Sequence, residues 1–412
     1  MLRHMADQRR FVIVGGGLAG AKGAEALRER GFEGSIVLFG SEEHLPYERP
    51  PLSKGYLKTG EGLDDAFVHD AQWYAAHDIE VRTGSTVAAI DRDARKVVTA
   101  DGERTAYDRL LLATGSSPRR LTLPGHDFGG VLSLRTIEDS DRIRALMQPD
   151  AKLVFVGGGW IGLEVASAAR EAGAEVVVLE TLELPLVRVL GAQVAQVFAD
   201  LHRQHGVDLR TSVTIEAIEG SNGAASGVRL SDGDVVPADA VVVGIGAAPN
   251  VALAEAAGLA VDNGVTADAV GRTSDPDIFV AGDLANVEHP FLGRRVRVEH
   301  WANALNQPDL VAAAMLDQDG PEPELPYFFT DQYDLGMEYH GMGGPDDEVV
   351  VRGSLADREF VAFWLREGRV VAGMNVNVWD VGDGIKALIR SRQVVDRDRL
   401  ADPAVDLESI AR

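Results

Sequence analysis

The run Phe11 to Val14 is short, continuous and apolar, the pattern of a strand buried on both faces of a parallel sheet, and Leu18 to Arg30 behind it carries helical periodicity. The same two-part pattern recurs at Leu153 to Val156 and Ile161 to Ala172. Ser35 to Phe39, Glu175 to Leu179, Ala240 to Gly244 and Ile278 to Ala281 add buried strands of the same kind. After residues 317–326, DQDGPEPELP, whose composition predicts a linker, the pattern changes. The stretches YFFTDQYDLGMEYHG, DEVVVRGS, REFVAFWLREG and RVVAGMNVNV predict short strands joined by turns in an antiparallel sheet, followed by a helix over Val378 to Arg392.

In both early copies, three glycines separate the strand from the helix: Gly15, Gly17 and Gly20, then Gly157, Gly159 and Gly162. The first glycine of such a triplet allows a tight turn, the second lets backbone approach a pyrophosphate, and the third lets helix pack close to strand. The helix N-terminus then faces the anion. Each copy is therefore expected to cradle one dinucleotide. In the second copy the strand Glu175 to Leu179 ends at Glu180, where a carboxylate accepts hydrogen bonds from a ribose 2′-OH and repels a 2′-phosphate, so NADH is expected over NADPH. Arg188, close by in sequence, opposes that preference unless it is simply a surface arginine. In the first copy Ser35 to Phe39 is followed by Gly40, Ser41, Glu42 and Glu43, and the acid comes late; Ser41 and Glu42 are the two candidates for the ribose contact, with Glu42 preferred. Two dinucleotides on one chain imply hydride transfer between them, from a visiting nicotinamide to a bound flavin.

Composition narrows the chemistry. A chain of 412 residues exceeds one ordinary core, so two or three domains are expected, and its 45% apolar content is that of a globular protein. A net charge of −24 argues against nucleic acid or an anionic membrane as partner. With no cysteine, structural disulfides, thiolate-ligated clusters and a thiol relay are all excluded. The start, MLRHMADQRR, has no apolar core of signal-peptide length and reads as a short exposed lead. No stretch reaches the roughly 20 apolar residues of a spanning helix, so a cytoplasmic location is expected. The histidines show no metal-ligand spacing, leaving His44, His69, His77 and His300 as surface or packing residues, with no metal site expected. No nucleophile elbow is present either.

LLLATG, Leu110 to Gly115, and TSDPDIFVAGD, Thr273 to Asp283, resemble the two further FAD motifs of the two-dinucleotide flavoprotein disulfide-reductase superfamily. LPYERPPLSK (Leu45 to Lys54), LRTIEDS (Leu134 to Ser140) and VEHWANA (Val298 to Ala304) narrow the resemblance to the oxygenase-coupled NADH-dependent ferredoxin reductases, FAD flavoproteins of the putidaredoxin reductase type. It covers nearly the whole chain and is weakest beyond about Gly373. The disulfide-reductase branches need a cysteine pair after the first cradle; here RPPLSK stands in that stretch, so electrons are expected to leave the flavin singly.

The resemblance implies a role for several residues. Arg49 would meet the flavin pyrophosphate, and Pro50 and Pro51 fix an extended turn before it reaches Lys54. Lys54 would place an ammonium at the flavin N5 and O4 side, unless it is a solvated loop lysine, and Glu164, one turn into the second helix, would contact the nicotinamide amide and pair with Lys54. Lys54 and Glu164 are the expected catalytic pair. Asp283 would bind the ribityl hydroxyls or cap a helix, and Trp301 would cover the pyrimidine end of the flavin or serve as an interface aromatic. Trp160, directly after Gly159, would gate the nicotinamide or pack in a core. Further cofactor contacts are implied at Ala19, Val87, Ala113, Thr114, Gly115 and Arg135, and on the second cradle at Ile161 and Gly246.

The expected fold class is α/β, with two Rossmann-like dinucleotide-binding domains and a C-terminal α+β domain carrying an antiparallel sheet. The boundaries fall at 1–117 for the first part of the FAD domain, 118–250 for the NAD domain, 251–320 for the second FAD part and 321–412 for the C-terminal interface domain. The implied activity takes hydride from NADH and passes single electrons to a [2Fe–2S] ferredoxin serving a cytochrome P450 or a ring-hydroxylating oxygenase, in a monomer or weak dimer. The alternative is an NADH-sensing interaction protein resembling apoptosis-inducing factor. An acidic ferredoxin would need a local basic patch, for which Arg294, Arg295 and Arg297, in a loop before Trp301, and Lys386, Arg390 and Arg392, on the C-terminal helix, are the candidates.

Overall fold

The computed structural model describes residues 7–411, so most of the lead MLRHMADQRR lies outside the described residues. The chain forms two compact units, and both are discontinuous in sequence. The first comprises Met1–Arg49, Leu63–Ser117 and Ala248–Pro326; the second comprises Pro50–Gly62, Pro118–Ala247 and Tyr327–Arg412.

The first unit is built on a five-stranded parallel sheet in the order Ile278–Val280, Arg109–Leu112, Arg10–Val14, Ser35–Phe39, Ile79–Arg82. Successive side chains of a strand point to opposite faces. Phe11 and Ile13 accordingly join the apolar cluster containing Ala24 and Leu27 of helix Leu18–Glu29 and Val311 of helix Trp301–Met315, while Val12 and Val14 join a second cluster with Val97 and Leu259. Burial on both faces is why the sequence run shows no alternation. Smaller sheets flank the main one, among them the three strands Val265–Ala267, Ala285–His289 and Arg294–Arg297.

The second unit repeats the device. Its parallel sheet runs Asp208–Arg210, Glu175–Leu179, Lys152–Val156, Ala240–Val243, Val131–Leu132. Leu153 and Phe155 face one cluster, Val154 and Val156 another. An antiparallel sheet follows from the last segment, in the order Tyr327–Gln332, Leu335–Gly341, Arg369–Val376, Glu359–Arg366, Glu348–Ser354. The fold is thus α/β with two dinucleotide-type sheets and a C-terminal α+β portion.

Several sequence expectations change here. A single apolar cluster contains Phe155 and Leu163 together with Phe360, Trp364 and Met374, so the C-terminal portion shares its packing with the NAD portion. In the segment Pro50–Gly62, Leu57 is fully buried in the same cluster, and Ser140 Oγ donates to Leu52 O at 2.9 Å. The C-terminal helix is Gly382–Ser391, shorter than expected at its start, since Asn377 (φ 50°) and Asp380 (φ 63°) adopt left-handed backbone. Arg392, at φ 54°, ends the helix rather than lying on it. Arg294–Arg297 is a strand, not a loop.

Candidate active site

In the first unit, helix Leu18–Glu29 begins at Gly17, with no side chain capping it, so its first N–H groups are left for a ligand. A Cβ on Gly15, at φ 132°, would lie 2.0 Å from Ala113 O, and one on Gly20 would lie 1.9 Å from Gly15 O. Protein backbone therefore demands glycine at both. At Gly17 a Cβ would meet nothing within 4 Å. The space above Gly17 is open where a pyrophosphate must approach, and the cradle fits a dinucleotide. Ala19 lines it from the helix and opposes Gly282, where a Cβ would come within 2.9 Å of the Ala19 methyl.

At the end of the neighbouring strand, Glu42 accepts from Tyr47 Oη at 2.5 Å and from Arg49 Nη2 at 2.8 Å. Arg49 Nη1 also donates to Tyr47 Oη at 3.0 Å. Ser41 is exposed beside this triad. Thr114 and Asn250 lock the LLLATG turn through Asn250 Nδ2 to Thr114 O at 2.8 Å and Thr114 Oγ1 to Asn250 O at 3.1 Å, and Gly115 O accepts from Asn250 N at 2.9 Å. Asp283 sits in the short turn Gly282–Leu284 and accepts from Ser116 Oγ at 2.7 Å. Trp301 opens helix Trp301–Met315 and donates from Nε1 to Glu48 Oε2 at 2.9 Å. Burial pushes His300, just before it, down to about 4, while nearby Asp283 pulls the other way. Val87 is buried on strand Val87–Asp91, opposite Thr99.

The second unit places its glycines alike. A Cβ on Gly157, at φ 99°, would lie 2.5 Å from Gly244 O, and one on Gly162 2.6 Å from Gly157 O, whereas at Gly159 the nearest atom would be 3.6 Å away. Glu180 does not stand apart from this loop. Its carboxylate accepts from Gly158 N and from Leu182 N, both at 2.8 Å, which fixes it beside the fingerprint with acceptor capacity left for a ribose hydroxyl. Arg188 is exposed on helix Val187–Gln204 and Gly246 is exposed with φ 95°, its carbonyl accepting from Arg119 N. Arg135 is half-buried, and its N–H donates to Asp139, which closes the capping box of helix Ile137–Leu146. Ile161 is 51% exposed at the start of helix Trp160–Glu171. Trp160 packs edge-on against Phe198 and tilted against Phe328, at 5.4 and 5.1 Å between ring centres, so it is anchored in the apolar cluster.

Glu164 lies one turn further along and is only 5% exposed. Lys54 Nζ donates to its Oε1 at 2.5 Å, Thr330 Oγ1 to the same oxygen at 2.6 Å, and Ser53 Oγ to Oε2 at 2.5 Å. The Phe329 ring lies 5.2 Å from the ammonium. A buried carboxylate survives only with such compensation. The Lys54–Glu164 pair thus exists, and Ser53 and Thr330 complete it. Sequence reasoning did not single out those two. Ser53 is adjacent to Lys54 in RPPLSK, but Thr330 is brought in by the fold from a distant strand.

Residues 9–308 match the family model for pyridine nucleotide-disulphide oxidoreductases, and residues 327–411 match that of the reductase C-terminal domain. The chain belongs to the pyridine nucleotide-disulphide oxidoreductase family. It is 43% identical over 403 residues to the ferredoxin–NAD(+) reductase component of the anthranilate 1,2-dioxygenase system of Burkholderia cepacia, covering 97% of this chain and 98% of that protein. Putidaredoxin reductase of Pseudomonas putida is 39% identical over 404 residues, 97% of this chain and 96% of that one. Among solved structures, the covalent putidaredoxin reductase–putidaredoxin complex matches with a TM-score of 0.95 at 39% identity, over 98% of each chain. The chain is an oxidoreductase of this family, whose cofactors are FAD and NADH, and both glycine cradles have the open approach such dinucleotides need. This member keeps the family's two cradles without any cysteine. Among the described residues, no helix is long and apolar enough to cross a membrane.

Proposed function

We propose that the protein is an NADH-dependent ferredoxin reductase that delivers single electrons to a [2Fe–2S] ferredoxin serving a cytochrome P450 or a ring-hydroxylating oxygenase, acting in the cytoplasm as a monomer or weak dimer. The observation that carries this reading is the buried Lys54–Glu164 pair one turn beyond the second fingerprint, on a chain with no cysteine. A bound FAD would supply the chemistry that links a two-electron hydride from NADH to single-electron delivery. This chain's residues bind and orient. Gly15, Gly17 and Gly20, with the N-terminus of helix Leu18–Glu29, hold the FAD pyrophosphate, and Gly157, Gly159 and Gly162 hold that of NADH. Glu180 would hold the NADH ribose, Asp283 the ribityl chain, Arg49 the FAD pyrophosphate and Glu42 the FAD ribose. Ala113, Thr114 and Gly115 would form the floor of the FAD cradle, and Trp301 would contribute at the flavin's pyrimidine end. Glu164 accepts from the nicotinamide amide, and Lys54 supplies the cation that favours reduced flavin. Ser53 fixes the Glu164 oxygen that Lys54 does not use.

With no thiol to receive an electron pair, the electrons leave through an outside one-electron acceptor. A purified [2Fe–2S] ferredoxin mixed with the NADH-reduced protein tests the reading: the ferredoxin is expected to be reduced within the turnover time. A ferredoxin that stays oxidised would favour the interaction-protein alternative.

A further inference from the structure

Thr330, Gln332 and His202 are each fully buried, inside the apolar cluster that fills the second unit. Placing three polar side chains there costs free energy unless each finds a partner. All three do, and in one line. Thr330 Oγ1 bonds to Glu164 Oε1 at 2.6 Å, Gln332 Nε2 to Thr330 Oγ1 at 3.2 Å, and His202 Nε2 to Gln332 Oε1 at 2.9 Å. Tyr333 Oη reaches His202 Nδ1 at 3.5 Å, the longest link. Thr330 and Gln332 are two apart on strand Tyr327–Gln332, so they share a face. His202 comes from the last turn of helix Val187–Gln204.

The direction of this line follows from its end. A carboxylate only accepts, so the Thr330 hydroxyl donates to Glu164 and its lone pair accepts from the Gln332 amide nitrogen. The Gln332 oxygen is then turned to His202 and can only accept, which requires the proton of His202 on Nε2 and leaves Nδ1 to accept from Tyr333. Every donor points the same way, and a chain of hydrogen bonds so aligned polarises towards its acceptor. Burial pushes His202 down to about 4, in keeping with a neutral ring.

We propose that Thr330, Gln332 and His202 form a one-way hydrogen-bond relay that fixes the rotamer of Glu164, which makes His202 and Gln332 positioning residues for nicotinamide reduction of the flavin. This rests on the role given to Glu164 above. Ser53 holds Oε2, and without the relay Oε1 would keep, among the described residues, the Lys54 ammonium as its one remaining donor.

Two measurements test the relay on the full chain. With 15N-labelled histidine, imidazole NMR is expected to show His202 neutral with its proton on Nε2, and Glu164→Gln is expected to shift that resonance while the exposed His126 does not move. A proton on Nδ1, or a His202 signal indifferent to Glu164→Gln, overturns the proposal without any turnover being measured. In rapid mixing with NADH, His202→Phe is expected to slow flavin reduction about fivefold, the worth of one neutral hydrogen bond, and Thr330→Val, which removes a bond to a carboxylate, at least about tenfold. Thr330→Ser and His202→Gln, which keep the donors, are expected to restore it, with the KM for ferredoxin the same in all four. A slow Glu164→Gln beside a fast Thr330→Val overturns this inference alone. A fast Glu164→Gln overturns the role of Glu164 and the relay with it. If His202→Phe fails to fold, the NMR result on the unaltered protein still decides.

Discussion

In the first cradle the acid that follows the second strand is held by its own neighbours, Tyr47 and Arg49 on Glu42, whereas in the second Glu180 holds the fingerprint itself through Gly158 N. The glycines do the same work in both: two are required by backbone closure and one leaves room for phosphate. What differs is the surroundings. Around the second cradle the apolar side chains of Ile161 and Ile245 are left 51% and 37% exposed, while the first has Trp301 tied to Glu48 and Asp283 tied to Ser116. Apolar surface left bare beside a phosphate cradle suits a ligand that comes and goes, and a ring of satisfied polar contacts suits a resident one. The same device, written twice, thus reads as a storage site and an exchange site.

The sharpest way to break that comparison is to close each cradle in turn. Gly15→Ala would drive a methyl into Ala113 O, an overpacking that costs at least about 1–3 kcal/mol. It is expected to yield protein without flavin absorbance. Gly157→Ala is expected to keep its yellow colour and lose reduction by NADH. Flavin loss from both, or from neither, would mean the cradles are not specialised in this way.

A smaller effect, on the exchange side only, is expected from Lys54→Ala. Flavin reduction by NADH should slow by about a hundredfold to a thousandfold, as when one donor to a developing charge is removed, with the protein folded and flavin retained. A wild-type reduction rate would return Lys54 to being a simple ion-pair partner. Next comes cofactor choice. NADH is expected over NADPH by at least about tenfold in kcat/KM, and Glu180→Ala should narrow the gap by weakening NADH more than NADPH. Equal use of both by the unaltered protein would remove Glu180 from the ribose.

The buried histidines set an acid limit. Burial pushes His202 and His340 in the second unit, and His300 in the first, down to about 4. Unfolded, each takes up a proton near the ordinary value of about 6.5. Nothing is lost above that, but between about pH 6.5 and 4 the unfolded chain binds protons that the folded one does not, so stability falls as pH falls. Thermal melts at pH 7 and pH 5 should show it, and His202→Gln should soften the decline. The smallest effect is expected at the docking surface. Lys386 is paired with Asp383 at 2.6 Å, and of the strand cluster Arg295 is held by Glu288 and Arg297 by Glu299, so neither set is a bare basic patch. Charge reversal at Lys386 and Arg390 should raise the KM for ferredoxin only a few-fold at low salt, leaving NADH reduction of ferricyanide intact.

Much of this was legible in the chain because the cradles are local. Strand, glycines and helix follow one another within a few dozen residues, and Ser35–Phe39 and Glu175–Leu179 end where their apolar runs end. The Lys54–Glu164 pair came through resemblance, since no periodicity joins positions that far apart. Thr330, Gln332 and His202 stayed hidden for the same reason: a polar residue in an apolar strand carries no sign of what it meets until the strand packs on its helix. The start of helix Gly382–Ser391 was misplaced because left-handed backbone at Asn377 and Asp380 leaves little trace in hydrophobic patterning. The packing of Pro50–Gly62 carries no local sign either, because where Leu57 is buried depends on the folded chain and not on its neighbours in sequence.

The central claim is that two electrons enter as a hydride at one cradle and leave singly towards an iron–sulfur partner. Anaerobic double mixing measures this directly, with one equivalent of NADH first and oxidised [2Fe–2S] ferredoxin second, following flavin and cluster absorbance together. The account predicts that the flavin is bleached by NADH and then recovers as two ferredoxins are reduced per flavin. A bleached flavin whose long-wavelength absorbance with bound nicotinamide persists while the ferredoxin stays oxidised would contradict it.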